Sequence, residues 1–195
     1  MTTTASEWTI LALSDETRAR AHLGDHPWPI RRAALDDTLH PRVQLLRLLE
    51  EADRWCAEHS DGGKDLAHDI PRLAWITAVD ALDDHHWEGA VHACDIGLRY
   101  SPRNISLWSH LALARHGQRD TESAVAAFTQ AILECSRVGF FAPMLWILGA
   151  RAFDDAGLAG TALGLLEDVA RFVPPDEAFW ELLADVRVRA ASQGS

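Results

Sequence analysis

The chain has 195 residues, 48% of them apolar and 24% charged, enough for a sizeable core in one domain or in one domain with an extension. Its 29 acidic against 18 basic residues give a formal charge of −11. Such a surface repels phosphate backbones and anionic headgroups, so neither nucleic acid nor a membrane is expected as a direct partner.

The opening residues, Met1 to Glu7, hold neither a basic nor an apolar region and do not read as a secretory signal. No stretch is apolar for long enough to cross a bilayer. Cys56, Cys94 and Cys135 are odd in number and form no C-x-x-C spacing, which suits thiols in a reducing compartment and a cytoplasmic location.

Residues 1–64 read as an N-terminal extension. Asp15 to His22 can form a short helix, with acids first and Arg18 and Arg20 later, as the helix dipole favours. Pro27 and Pro29, on either side of Trp28, then force an extended turn. A clearer helix is expected over about 41–59. Pro41 suits its first position, and Leu45, Leu46, Leu48, Leu49, Ala52, Trp55 and Cys56 form an apolar stripe at helical spacing. Ser60 to Gly63 ends it.

Beyond this point the pattern recurs. A unit counted from Pro71 begins again at Ile105 and, after four extra residues (Gly139 to Ala142), at Pro143, with a final half-unit from Glu177. The fourth position of these units reads Ala74, Trp108, Trp146 and Trp180, with Trp75 one place off in the first. The eighth reads Ala78, Ala112, Ala150 and Ala184, and the twentieth Ala90, Ala124 and Ala162. Small residues are needed where helix backbones cross closely, and bulky ones plug the space beside them.

These residues resemble the tetratricopeptide repeat (TPR) family, whose units of 34 residues pair two helices. The second unit matches best, through Trp108, Leu111, Ala112, Ala124, Phe128 and Ala131. Pro102 and Pro174 close the first and third units, and Trp87 matches the aromatic that opens a second helix. Gly97, where an Ala is usual, and Gly149, where a Leu is usual, depart from the pattern. The resemblance implies an all-α fold: three TPR-like helix pairs over about 71–104, 105–138 and 143–176, plus a C-terminal capping helix over about 177–190. Together they form a repeat domain at 65–195, preceded by the N-terminal helical extension. Residues 87–133 are also similar to the TPR-like bacterial transcriptional activator domain. That domain accompanies a basic DNA-binding domain for which this chain has neither room nor charge, so such kinship implies a regulatory fragment acting through a protein partner.

The family lines a groove with the first helix of each unit. Its positions here are Arg72, Trp75, Val79 and Leu82; Ser106, Ser109, Leu113 and His116; and Met144, Ile147, Arg151 and Asp154. One TPR subclass grips a C-terminal carboxylate with Lys, Asn and Arg, but Arg151 is the cation near the matching positions, so that clamp is not expected. An apolar peptide or amphipathic helix fits better. The occupant could equally be residues 1–60, and homodimerisation through apolar repeat surfaces stays open. The expectation is a non-catalytic scaffold or interaction module that binds another protein, with no cofactor, no metal and no catalytic residues.

The competing expectation is a helical-scaffold enzyme, or a small-molecule or metal-binding protein, that uses the His- and Trp-rich surface. Asp83 to Glu88 holds metal-ligand types, yet neighbouring side chains on a tight turn diverge, whereas a site needs three or four that converge. His22 and His26 would share a face only in a helix that Gly24 and Pro27 oppose. Nucleophile elbows, Walker loops and dinucleotide-binding glycine turns are absent from the sequence. Cys94 falls at a packing position, and Asp154, Asp155, Glu167 and Asp168 read as a solvated face.

Overall fold

The computed structural model describes residues 8–11, 28–31, 41–58, 64–172 and 177–193. Among them are two four-residue strands and eight helices. β1 (Trp8–Leu11) and β2 (Trp28–Arg31) pair antiparallel, with Trp8 opposite Arg31 and Ile10 opposite Pro29. The extension therefore carries a small ribbon that the helical reading of this segment did not include. Pro29 fixes its own backbone in an extended range, and a two-stranded ribbon is all edge, where a missing N–H costs little. The short helix expected at Asp15 to His22 and the pair His22 and His26 lie outside the described residues.

Everything described from Pro41 onward is helix and turn, and the fold is all-α: α1 (Pro41–Glu58), α2 (Lys64–Asp83), α3 (Trp87–Tyr100), α4 (Ile105–Gly117), α5 (Thr121–Arg137), α6 (Pro143–Asp155), α7 (Ala159–Phe172) and α8 (Glu177–Gln193). By its packing the chain divides into an N-terminal body, residues 1–110, and a C-terminal body, residues 111–195, with the boundary inside α4.

In the N-terminal body, α1 packs on α2 and α3. Leu45, Leu48, Leu49 and Ala52 are fully buried at helical spacing, and each leucine contributes about 1.5–3 kcal/mol. Polar bonds also fasten α1 to α3. Tyr100 donates its hydroxyl to Asp53 Oδ1 at 2.9 Å, Arg99 meets Asp53 Oδ2 at 2.5 Å, and His92 meets Glu50 at 3.0 Å. Buried Glu51 is matched by Arg54 at 2.7 Å.

α2 begins at Lys64, so Pro71 lies inside the helix instead of opening it. The pyrrolidine removes one helical donor, a loss the packed face offsets: Ile70, Leu73, Ala74 and Ala78 are all fully buried. Buried Thr77 bonds back to the Leu73 carbonyl at 2.8 Å. Gly97 of α3 faces residues of both α2 and α4 at close range. A Cβ there would lie 2.6 Å from the Ala74 Cβ and 2.7 Å from Leu107 Cδ1.

In the C-terminal body, α6 packs on α5 and α7, and α7 on α8. Asp120 caps α5 by accepting the Ser123 N–H at 3.2 Å, and its carboxyl is held below its ordinary value first by the Ser123 hydroxyl and then by this backbone bond. Pro143 opens α6 as its first residue. Buried Glu134 accepts from Arg137 at 2.5 Å and Gln130 at 2.8 Å. α8 buries Phe179, Leu183 and Val186, whereas Trp180, in the bulky-residue phase, is 51% exposed and Ala184 is exposed as well.

The three turns α2–α3, α4–α5 and α6–α7 have one geometry. His85, Arg119 and Gly157 each adopt a left-handed conformation, with φ of 59°, 61° and 75°. The next residue in each case donates to the carbonyl five places back: His86 to Ala81, Asp120 to Arg115, Leu158 to Phe153. Ala90, Ala124 and Ala162 then each donate to the residue four before. The six alanines Ala78, Ala112, Ala150, Ala90, Ala124 and Ala162 are all fully buried.

Candidate functional site

The face of α2 turned away from its buried row carries Arg72, Trp75, Val79 and Leu82, spaced so that all four fall on one side. Arg72 is exposed, Trp75 is 38% exposed, and Val79 and Leu82 are half-buried. Trp75 meets the His110 ring edge-on, at 6.3 Å between centroids. His110 in turn donates through Nδ1 to the Ser106 carbonyl at 2.6 Å. Burial lowers the His110 pKa below its ordinary value, outweighing the Ser106 carbonyl and the charge of Asp83, and so favours the uncharged ring.

Beside this row is a cleft of about 420 Å³, lined by Ala67, Pro71, Arg72 and Trp75 of α2, Tyr100, Ser101 and Asn104 of the α3–α4 junction, and Ser106 of α4. Asn104 is spoken for through its carbonyl oxygen, which accepts the Leu107 N–H at 3.1 Å and caps α4. Its amide NH₂ remains a donor. Trp108 is tied by its indole N–H to the Pro102 carbonyl at 2.8 Å, which fixes the same junction. The Tyr100 hydroxyl is engaged by Asp53, and burial with that bond raises its pKa.

Ser109, the last expected position in this body, bonds its hydroxyl to the Ile105 carbonyl at 2.7 Å. In the C-terminal body, Leu113, His116 and Ile147 are half-buried, and Met144 and Arg151 are exposed, Met144 at 63%. His116 meets Asp155 at 2.9 Å, and Asp154 is taken by Arg189 at 2.7 Å. None of the ten positions Arg72, Trp75, Val79, Leu82, Ser109, Leu113, His116, Met144, Ile147 and Arg151 is buried.

The expected polar cluster does not converge. Asp83, Asp84, His85 and His86 are exposed on the α2–α3 turn, and His92 turns to Glu50. Among the described residues no group of three or more His, Cys, Asp or Glu is placed to hold a metal ion. The three cysteines stand as thiols; burial pushes Cys94 up to about 12, which suppresses its thiolate. Among the described residues no helix is long and apolar enough to cross a membrane. No protein-family model and no curated protein matches the chain.

Tyr100, Ser101 and Asn104 were not anticipated as lining residues. The available signal was Asn104 directly before Ile105, a helix cap whose position aims the junction back at α2.

Proposed function

We propose that the chain is a non-enzymatic interaction module of TPR-like helical repeats that binds another protein in the cytoplasm, as a scaffold or regulator. One contrast carries the reading. Six of the seven phased alanines are fully buried, Ala184 of α8 being the exception, while the ten first-helix positions, rich in Trp, Val, Leu, Met and Ile, are all left at or near the surface. Apolar side chains kept out of the core at regular helical spacing, in each body taken by itself, suit contact with a peptide or helix. The shared geometry of the three turns supports a repeated helix pair, and the three thiols suit a reducing compartment.

The test is affinity purification followed by mass spectrometry, run in parallel on the wild type, Leu113→Glu, Met144→Glu and the surface control Glu122→Lys. A stoichiometric protein partner should be recovered by the wild type and control and lost by the other two. Recovery by all four places the contact elsewhere. Recovery of no protein, with a metal or small molecule bound to the purified chain, replaces the proposal with a ligand-binding role.

A further inference from the structure

Two ties join the ends of the first helices within the C-terminal body. Near the end of α4, His116 meets Asp155, the last residue of α6, at 2.9 Å. Arg189 of α8 holds both oxygens of Asp154, through Nε at 3.0 Å and Nη2 at 2.7 Å. The Arg189 pKa is raised first by this bond and then, against burial, by the charges of Asp154, Asp185 and Asp155, so three carboxylates act on one guanidinium. Glu181 lies four residues before Asp185 on the same side of α8, and both are exposed. Asp154 has no oxygen left over from Arg189, but Asp155 engages His116 through Oδ2 and keeps Oδ1 as an acceptor. Glu181 and Asp185 give no oxygen to a hydrogen bond or ion pair among the described residues.

Arg151, exposed on α6 one turn before Asp155, is the second cation of this face. Against Arg151 and Arg189 stand four acids, Asp154, Asp155, Glu181 and Asp185, an excess of two negative charges. The C-terminal ends of α4 and α6, at His116 and Asp155, add the negative ends of two helix dipoles. Beside these acids the surface is apolar. Val188, one turn after Asp185, is 71% exposed, and Ile147 and Met144 continue the Arg151 row towards the start of α6. Carboxylates bordering exposed aliphatic side chains suit a guest whose cation rides on an apolar stem. We infer that this seam anchors a lysine or arginine side chain of a bound peptide, with its methylene stem and an apolar neighbour resting on Val188. Asp155 Oδ1 and the carboxylates of Asp185 and Glu181 accept from the cation, and the rest of the peptide follows Ile147 and Met144.

This inference rests on the peptide-binding reading, and one experiment separates their failures. A random linear peptide library displayed on phage is selected on three forms of the full chain. They are the wild type, Glu181→Lys with Asp185→Lys, and a control of equal charge change at exposed sites elsewhere, Glu88→Lys with Glu122→Lys. Circular dichroism first confirms equal helix content. The wild type and the control should enrich peptides with Lys or Arg next to an apolar residue, and the α8 variant should lose that basic preference. A fluorescein-labelled selected peptide should then bind the wild type about tenfold more weakly when its cation is replaced by glutamine. Unchanged affinity for that peptide overturns the anchor without recourse to any variant. So do peptides enriched without a cation, and a basic preference that the α8 variant and the control keep or lose alike; each leaves peptide binding in place. No enrichment on any of the three proteins overturns both.

Discussion

Replacing Gly97 with alanine tests how tightly α3 is held against its neighbours. The expected repeat phasing invites the change, since the resemblance that suggested it would place alanine at that position. In isolation the substitution favours the helix by about 1 kcal/mol. Against this, the new methyl would sit 2.6 Å from the Ala74 Cβ and 2.7 Å from Leu107 Cδ1, where carbon atoms normally rest about 3.5–4.0 Å apart. The Ala74 methyl cannot rotate away because it is fixed to the α2 backbone, and both Ala74 and Leu107 are fully buried. The helices must therefore part by about 1 Å, an overpacking cost of about 1–3 kcal/mol. The balance is a loss centred on about 1 kcal/mol and reaching about 2 kcal/mol at most. Urea unfolding followed by far-UV circular dichroism reads it as a lower midpoint at unchanged slope. Ala74→Gly in the same chain removes the opposing methyl and should return part of the loss, with a coupling of about 1 kcal/mol in the double-mutant cycle. A Gly97→Ala protein as stable as the wild type, or strictly additive substitutions, would refute the argument.

The recurring turns predict a mirrored pair. Arg119→Gly should stabilise by about 1 kcal/mol, because it relieves a left-handed non-glycine residue, and Gly157→Ala should destabilise by about as much with no clash to blame, both read in the same urea assay. His110 predicts a pH effect. Its folded-state pKa lies below the unfolded one, so its contribution is present above the unfolded value, near 6.5, and is lost as pH falls through the folded value. Between neutral pH and about pH 5.5, stability of His110→Gln should fall less than that of the wild type, measured by thermal melts at each pH; parallel falls would contradict the assignment.

Local patterns were the legible part of this fold. The α1 stripe could be read because Leu45, Leu48, Leu49 and Ala52 follow the helical period, and the alanines because every close helix crossing asks for the same small residue. Pro71 misled for a physical reason: proline is comfortable at a helix start, and only the tertiary contacts of Ile70 and Leu73 show that the chain was already helical at Lys64. The shift from Trp75 to Ala74 in the buried slot has the same origin, since the bulky indole is turned outward and the small methyl faces Gly97. On the α2 face, Arg72 and Trp75 were legible from their phase. Tyr100, Ser101 and Asn104 were not, because a cleft arises from two segments brought together, and no periodicity in either segment records the other.

The fastening of α1 has a consequence for the order of events during synthesis. Asp53 waits for Arg99 and Tyr100, which follow 46 and 47 residues later. At about 5–20 residues per second, α1 leaves the ribosome roughly 2–9 s before those partners are made. During that interval α1 has β2 and α2 to lean on, but the partners that α3 supplies are still missing. A nascent chain stalled before residue 100 should thus expose the side of α1 that the finished protein keeps bolted down, and it is there that a chaperone would find its grip.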